Sequence, residues 1–161
     1  MNSTDVAACR KAVIYARIAR VEKGSAHRLA EQIQRVKKGL PPDLAGDTAE
    51  VYAEIGSGAL GFEKNRDGKA RPELQRLAND VRQGKVGSVH VADRSRLARR
   101  AGVFFRFIGL CEDHGARVFA GNEELGGLGE LRENPQTAAM AESAADLFDE
   151  FYLRAVRSRR R

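Results

Sequence analysis

The chain has 161 residues, which is long enough for one domain of ordinary size and short for two. Hydrophobic residues make up 42% of it and charged residues 31%, a balance that excludes a fully disordered or fibrous protein. Its 28 Lys and Arg outnumber the 22 Asp and Glu. The resulting net charge of +6 favours a polyanionic partner; the alternative is that the charge only keeps the protein soluble.

The first half of the chain predicts two strands, each followed by a helix. The segment KAVIYARI, residues 11–18, is an apolar run rich in β-branched and aromatic side chains, which is typical of a buried strand. The spacing of apolar residues predicts an amphipathic helix over residues 26–38. A second strand is predicted over residues 49–55, and a long polar loop with several glycines connects it to a helix from Pro72 to Gly84.

The second half continues the alternation of strands and helices. A third strand is predicted over residues 86–93, a third helix over 101–114 and a fourth strand over 116–120, before a glycine-rich loop at 121–130. This order predicts an α/β domain with a mostly parallel central sheet flanked by helices. Ligands of such sheets usually bind at the carboxyl ends of the strands.

A long amphipathic helix is predicted from about Thr137 to Arg160, on the order of 36 Å in length. We therefore divide the chain into a domain over residues 1–136 and a long helix with a basic tail over residues 137–161. The apolar stripe of this helix either packs within the chain or contacts a second subunit. The side chains expected in a dimer interface are those of Met140, Leu147, Phe148 and Phe151.

The two cysteines, Cys9 and Cys111, fit no metal-binding spacing and are expected to be small buried hydrophobic residues. The sequence contains no signal peptide and no apolar run long enough to span a bilayer. It also has no cluster of acids and histidines at metal-ligand spacing. We therefore expect a reduced, cytoplasmic protein that uses neither a metal nor a small-molecule cofactor.

Three segments, in this order, resemble a known family. The first is YARIA, residues 15–19, with Gln32 downstream; the second is VYAEIGSGALGFEKNRDGKARPEL, residues 51–74; the third is VADRSRLARR, residues 91–100. Together they resemble the catalytic domain of serine site-specific DNA recombinases, the family of resolvases, invertases and serine integrases. The likeness covers roughly residues 11–157.

The resemblance implies a resolvase-like three-layer fold with a long C-terminal dimerisation helix. It also implies site-specific strand exchange on DNA, in which a serine hydroxyl attacks a phosphodiester, forms a 5′-phosphoserine and releases a 3′ hydroxyl before the strands are rejoined. The expected partners are DNA and a second copy of the chain, with a tetramer when two sites pair on DNA.

The resemblance places four arginines, Arg17, Arg71, Arg96 and Arg99, around the scissile phosphate. Guanidinium groups bind non-bridging phosphate oxygens bidentately and stabilise their charge without a metal. Arg96 and Arg99 are three residues apart, so they share a face if their segment is helical. Gln32 is expected to orient the site. Ser95 stands where many relatives carry aspartate, a variant that some large serine integrases also show.

In this resemblance, Ala19 stands at the position of the family's nucleophilic serine. A methyl group has no lone pair to attack phosphorus, so we expect no cleavage. Ser25 lies six residues further on, and an attack from there would need a displacement larger than near-attack geometry tolerates. Ser57 is expected to shape the turn of its loop rather than to replace the nucleophile, and Glu54 stands where the family usually has aspartate.

The missing nucleophile leaves two classes of function open. The first is a recombinase catalytic domain that is cleavage-inactive as written, either inactivated or naturally degenerate. The second is a non-enzymatic DNA-binding or regulatory dimerisation protein that reuses the fold, for instance in mixed dimers with an active recombinase. A nucleotide-binding α/β domain is disfavoured because no phosphate-binding glycine loop follows the first strand.

The C-terminal run RAVRSRRR either follows the minor groove of DNA or is a solvated basic end. The arginines expected to contact DNA there are Arg157, Arg159, Arg160 and Arg161. Neither a helix-turn-helix nor a zinc-containing recognition domain is recognised in the sequence. We therefore expect poor sequence specificity and an affinity for DNA that falls steeply with salt.

Overall fold

The computed structural model describes residues 10–42, 44, 49–126, 143, 144 and 147. The strands are β1 Lys11–Ile18, β2 Glu50–Ile55, β3 Val86–Val91, β4 Arg117–Ala120 and β5 Glu123–Leu125. The helices are α1 Ser25–Gly39, α2 Pro72–Arg82, α3 Arg94–Leu97 and α4 Ala101–Asp113. The predicted α/β order is confirmed.

The five strands form one sheet in the order β2-β1-β3-β4-β5. The first four are parallel, and β5 pairs antiparallel with β4. A mostly parallel sheet, as predicted, is therefore present. Because β1, β2 and β3 run in the same direction, their carboxyl ends meet at one edge of the sheet, and Ile18 lies opposite Ile55 there.

Helices cover both faces of the sheet, because the side chains of β1 alternate between two hydrophobic clusters. Val13 and Tyr15 belong to the larger cluster, which packs on α2 and α4. Ile14 points to the other face, where it meets Val36 of α1 and Leu40. The three layers expected of the domain are thus α1, the sheet, and α2 with α4.

Two short elements were not predicted from the sequence. The predicted loop at 121–130 contains β5, which forms through its pairing with β4 across a two-residue turn with Gly121 at φ 59°. The third strand ends at Val91 rather than at residue 93, because the chain bends there into the single turn of α3. Cys111 is fully buried in the larger core, as expected, whereas Cys9 lies outside the described residues.

Little of the predicted C-terminal helix lies within the described residues. Ser143, Ala144 and Leu147 are helical and exposed, and Leu147 has 71% of its surface accessible. The boundary expected at residue 136 and the expected contact residues lie outside the described part; the latter are Met140, Phe148, Phe151, Arg157, Arg159, Arg160 and Arg161. Within the described part, no helix is long and apolar enough to cross a membrane.

Candidate functional site

Arg17 lies near the carboxyl end of β1 and is only 1% exposed. Its guanidinium donates hydrogen bonds to three backbone carbonyls, those of Gly56 at 2.8 Å, Ser95 at 2.7 Å and Arg96 at 2.9 Å. These carbonyls belong to the segments that follow β2 and β3. The side chain of Arg17 therefore joins the ends of three neighbouring strands, and no carboxylate among residues 10–42 and 49–126 pairs with it.

Gln32 of α1 fixes the backbone of the same residue. Its Oε1 accepts a hydrogen bond from the Arg17 amide at 2.9 Å, and its Nε2 donates to the Arg17 carbonyl at 3.1 Å. The Gln32 side chain is buried, so both bonds are shielded from water. Gln32 thus acts on Arg17 through its main chain, and the structure brings the two predicted residues into direct contact.

Arg71 precedes Pro72, the first residue of α2, and is also 1% exposed. Its Nη1 donates to the Tyr15 hydroxyl at 3.1 Å, and its Nη2 donates to the Leu97 carbonyl. Its Nε is buried and has no hydrogen-bond partner in the described part of the chain. Since an unpaired buried donor costs free energy, this group is suited to binding an added acceptor.

Glu54 of β2 contacts Tyr15, the hydrogen-bond partner of Arg71, and the first turn of α2 that follows Arg71. One carboxylate oxygen accepts a hydrogen bond from the Tyr15 hydroxyl, and the carboxylate also accepts hydrogen bonds from the amides of Glu73 at 3.0 Å and Leu74 at 3.3 Å. Arg71 is the N-cap residue of α2 and provides no side-chain acceptor for these amides. A carboxylate from a neighbouring strand therefore caps the helix, which sequence reasoning missed; the signal was a helix start lacking Ser, Thr, Asp or Asn.

Arg96 and Arg99 lie at the more open side of the site. Arg96 is half-buried, donates to the Arg17 carbonyl at 3.3 Å and forms an ion pair with Asp93 at 3.5 Å. Ser95 is exposed and its hydroxyl donates to Asp93. Arg99 is exposed. The condition for a shared helical face is not met, because α3 ends at Leu97 and the next residue is extended.

Gly58, in the loop after β2, brings Arg17 and Arg99 together instead. Its carbonyl accepts the Arg99 amide at 3.0 Å. A Cβ at position 58 would lie 2.7 Å from both Arg17 Nη2 and Arg99 Cγ, so only glycine fits without displacing these side chains. The neighbouring Ser57 hydroxyl accepts the Ala59 amide at 3.2 Å, which is the turn-shaping role expected of it.

The arginines also affect one another electrostatically. Burial lowers the pKa of Arg17 to about 10, and the positive charges of Arg71, Arg99 and Arg96 contribute to the decrease. Burial also lowers the pKa of Arg71. With a pKa of about 10, Arg17 still carries its charge near neutral pH. The four predicted arginines therefore form one concentrated positive region at the carboxyl end of β1, which we call the arginine site.

Ala19 follows β1 directly and is half-buried. The turn that follows Ala19 contains the hydroxyl of Ser25. This hydroxyl accepts a hydrogen bond from the Glu22 amide at 2.7 Å and donates one to the Arg20 carbonyl at 3.2 Å. Ser25 is buried and stabilises the turn that leads into α1. No group of three or more His, Cys, Asp or Glu placed to hold a metal ion occurs in the described ranges.

The chain as a whole is similar to proteins of a known family. Residues 12–161 match the family model of the resolvase N-terminal domain. The fold is similar to that of the N-terminal catalytic domain of TP901-1 integrase, with a TM-score of 0.57 and 19% identity over 91% of this chain and 98% of that one.

Two further solved structures share the fold. One is a serine recombinase from Sulfolobus solfataricus, with a TM-score of 0.54 and 22% identity over 77% of this chain and 76% of that one. The other is a resolvase family site-specific recombinase from Streptococcus pneumoniae, with a TM-score of 0.55 and 19% identity over 94% and 99%. The comparison with curated proteins finds no match. Because the family model spans nearly the whole chain, the protein belongs to the resolvase N-terminal domain family.

Proposed function

We propose that this chain is a serine-recombinase catalytic domain that binds DNA at the arginine site but does not cleave it, because Ala19 replaces the nucleophile. The observation that carries the proposal is the burial of Arg17 and Arg71 without a carboxylate ion pair in the described part of the chain. The Glu54 carboxylate offsets part of the Arg71 charge through space, whereas the Arg17 guanidinium is held by carbonyl oxygens alone. Burying a charge that is not fully compensated costs free energy. A phosphate bound beside these guanidiniums would offset that cost.

The arginine site suits the charge that develops during phosphoryl transfer. Catalysis of this reaction consists mostly of positioning and of electrostatic stabilisation of the phosphoryl oxygens. The more accessible Arg96 and Arg99 provide donors for these oxygens, and the buried charge of Arg71 lies behind them. In the family reaction, a serine oxygen forms a bond to phosphorus while the bond to the 3′ oxygen breaks. The methyl group of Ala19 provides no such oxygen.

The three serine hydroxyls near the arginine site support the absence of a substitute nucleophile, and that of Ser95 already donates a hydrogen bond to Asp93. Ser25 holds the turn before α1 with both hydrogen bonds of its hydroxyl, and Ser57 accepts an amide within its own loop. Moving any of these oxygens to phosphorus would break these contacts. The site thus retains its binding groups and lacks the attacking atom.

Self-association is part of the proposal. Leu147 is exposed on a helical segment and is one of the apolar residues of the amphipathic stripe that the sequence predicts there. We propose a homodimer, and a tetramer when two DNA sites pair. A non-enzymatic regulator that forms mixed dimers would share these contacts. The two functions differ in whether a serine at position 19 restores cutting.

The test is a cleavage assay on a suicide DNA substrate, with the natural chain and its Ala19→Ser variant each fused to the same DNA-binding domain. A covalent protein–DNA adduct is expected with the serine variant alone. Ala19→Ser combined with Arg71→Gln is the matched control and should form little adduct. An adduct with the natural chain would contradict the role assigned to Ala19. No adduct with either chain would instead favour the non-enzymatic DNA-binding protein.

A further inference from the structure

Arg94, the first residue of α3, is an exposed arginine outside the arginine site. Its guanidinium carbon lies 4.0 Å from the centre of the Phe104 ring. Phe104 belongs to the first turn of α4 and is only 7% exposed, so the core holds its ring in place. A guanidinium over an aromatic ring loses less conformational freedom when it binds a ligand, because the stack already restricts it.

The charge of Arg94 is not neutralised by a neighbour. Its side chain forms no ion pair and no hydrogen bond with the residues that the structure describes. The adjacent acid, Asp93, already accepts the Ser95 hydroxyl and pairs with Arg96. The first turn of α4 contains no acidic residue.

Two glutamates line the same cleft as Arg94 but do not pair with it. The cleft has a volume of about 520 Å³ and includes Glu123 and Glu124 of β5 on its wall. Glu124 instead forms two hydrogen bonds with Arg117, at 2.8 and 2.6 Å. The Arg94 guanidinium therefore remains available to an external anion.

The anion is inferred from the neighbourhood of Arg94, which lies in the same single helical turn, α3, as Arg96 of the arginine site. Residues two apart on a helix point to different sides, and Arg96 reaches back to Arg17 whereas Arg94 extends to Phe104 of α4. We infer that Arg94 binds a DNA backbone phosphate next to the one held at the arginine site. This inference rests on the proposed function, and it extends the positive surface across α3 to the flanking DNA.

Arg94 contributes to DNA affinity and takes no part in the reaction. A contact with one phosphate releases counterions and adds about one unit to the slope of log affinity against log salt concentration. Such a contact is independent of base sequence. Loss of Arg94 should therefore weaken binding to all duplexes equally and reduce the salt dependence.

The experiment measures binding of the full chain to a fluorescein-labelled DNA duplex by fluorescence anisotropy, between about 50 and 200 mM salt. Arg94→Ala should reduce the magnitude of the salt slope by about one unit and weaken binding at every salt concentration. Arg94→Lys retains the charge and should preserve the slope. The matched control is Arg82→Ala, which removes an exposed arginine at the far end of α2, away from the carboxyl ends of the strands; its slope should match that of the natural chain.

Each contrary outcome has a distinct meaning. An unchanged slope for Arg94→Ala, an equal loss for Arg82→Ala, or a full loss for Arg94→Lys would overturn the role of Arg94. The double variant Arg96→Ala with Arg99→Ala tests the proposed function separately. If it binds DNA as tightly as the natural chain does, or if the natural chain does not bind, the proposed function fails and the inference fails with it.

Discussion

Replacing Glu54 by glutamine is expected to destabilise the protein far more than the same change at Glu73, a half-buried glutamate in the first turn of α2, the helix that Glu54 caps. The Glu54 carboxylate is buried and accepts three hydrogen bonds, from the Tyr15 hydroxyl and from the amides of Glu73 and Leu74. A hydrogen bond to a charged group contributes about 1.5–3 kcal/mol. Because glutamine retains one acceptor oxygen and these bonds are not additive, we expect Glu54→Gln to cost about 2–4 kcal/mol of unfolding free energy.

Glu73→Gln is the matched control. Glu73 lies in the first turn of α2 and pairs with Arg76 at 2.8 Å on the surface. Removing an ion pair at the protein surface costs less than about 1 kcal/mol. Urea denaturation followed by circular dichroism gives both free energies, provided that the slope with urea stays constant. Equal losses for the two variants, or a loss below about 1 kcal/mol for Glu54→Gln, would refute the capping role of Glu54.

Two further predictions concern packing at the site and the pH dependence of stability. Gly58→Ala should displace the side chains of Arg17 and Arg99 and weaken DNA binding in the anisotropy assay, because the new methyl group would lie 2.7 Å from both. His90 is buried and stacks on Phe119 with ring centres 5.1 Å apart; burial lowers its pKa, so the unfolded chain binds a proton more readily than the folded one does. Stability should therefore fall as the pH drops below about 6.5, and His90→Gln should reduce this loss in urea denaturation.

Matched variants separate these effects from general damage to the fold. Gly39→Ala places a methyl group with no neighbour within 4 Å and should leave DNA binding unchanged. His27 is exposed at the start of α1, where it pairs with Glu31, so His27→Gln should leave the acid sensitivity in place. A pH profile that His27→Gln alters as much as His90→Gln does would contradict the assignment to His90.

The elements that the sequence predicts well have signals within their own residues. β1 has the predicted bounds, because the apolar run AVIYA within it is typical of a strand buried on both faces. The start of α2 was marked by Pro72 at its first position. In contrast, β5 has three residues and forms only through pairing with β4, a contact that no local pattern of EEL encodes.

The arginine site also has features that the sequence predicts and features that it does not. The positions of the four arginines followed from the resemblance to the family, but the way in which they converge depends on contacts between distant segments. The approach of Arg99 to Arg17 requires the absence of a side chain at Gly58, and the cap of α2 comes from Glu54 on another strand. The stack of Arg94 on Phe104 likewise joins two helices. Such contacts are set by tertiary packing and leave no periodic pattern in the sequence.

The three carbonyl contacts of Arg17 give this residue a structural role in addition to its proposed contact with phosphate. The guanidinium that faces the proposed phosphate also joins the chain segments after β1, β2 and β3, so its removal would leave unpaired carbonyls in the interior. Under the proposed function, selection for a stable fold alone would be enough to retain this arginine when position 19 carries no hydroxyl. A retained arginine at this strand end would then reflect folding of the domain, whereas the residue two positions later would determine whether the domain cleaves DNA.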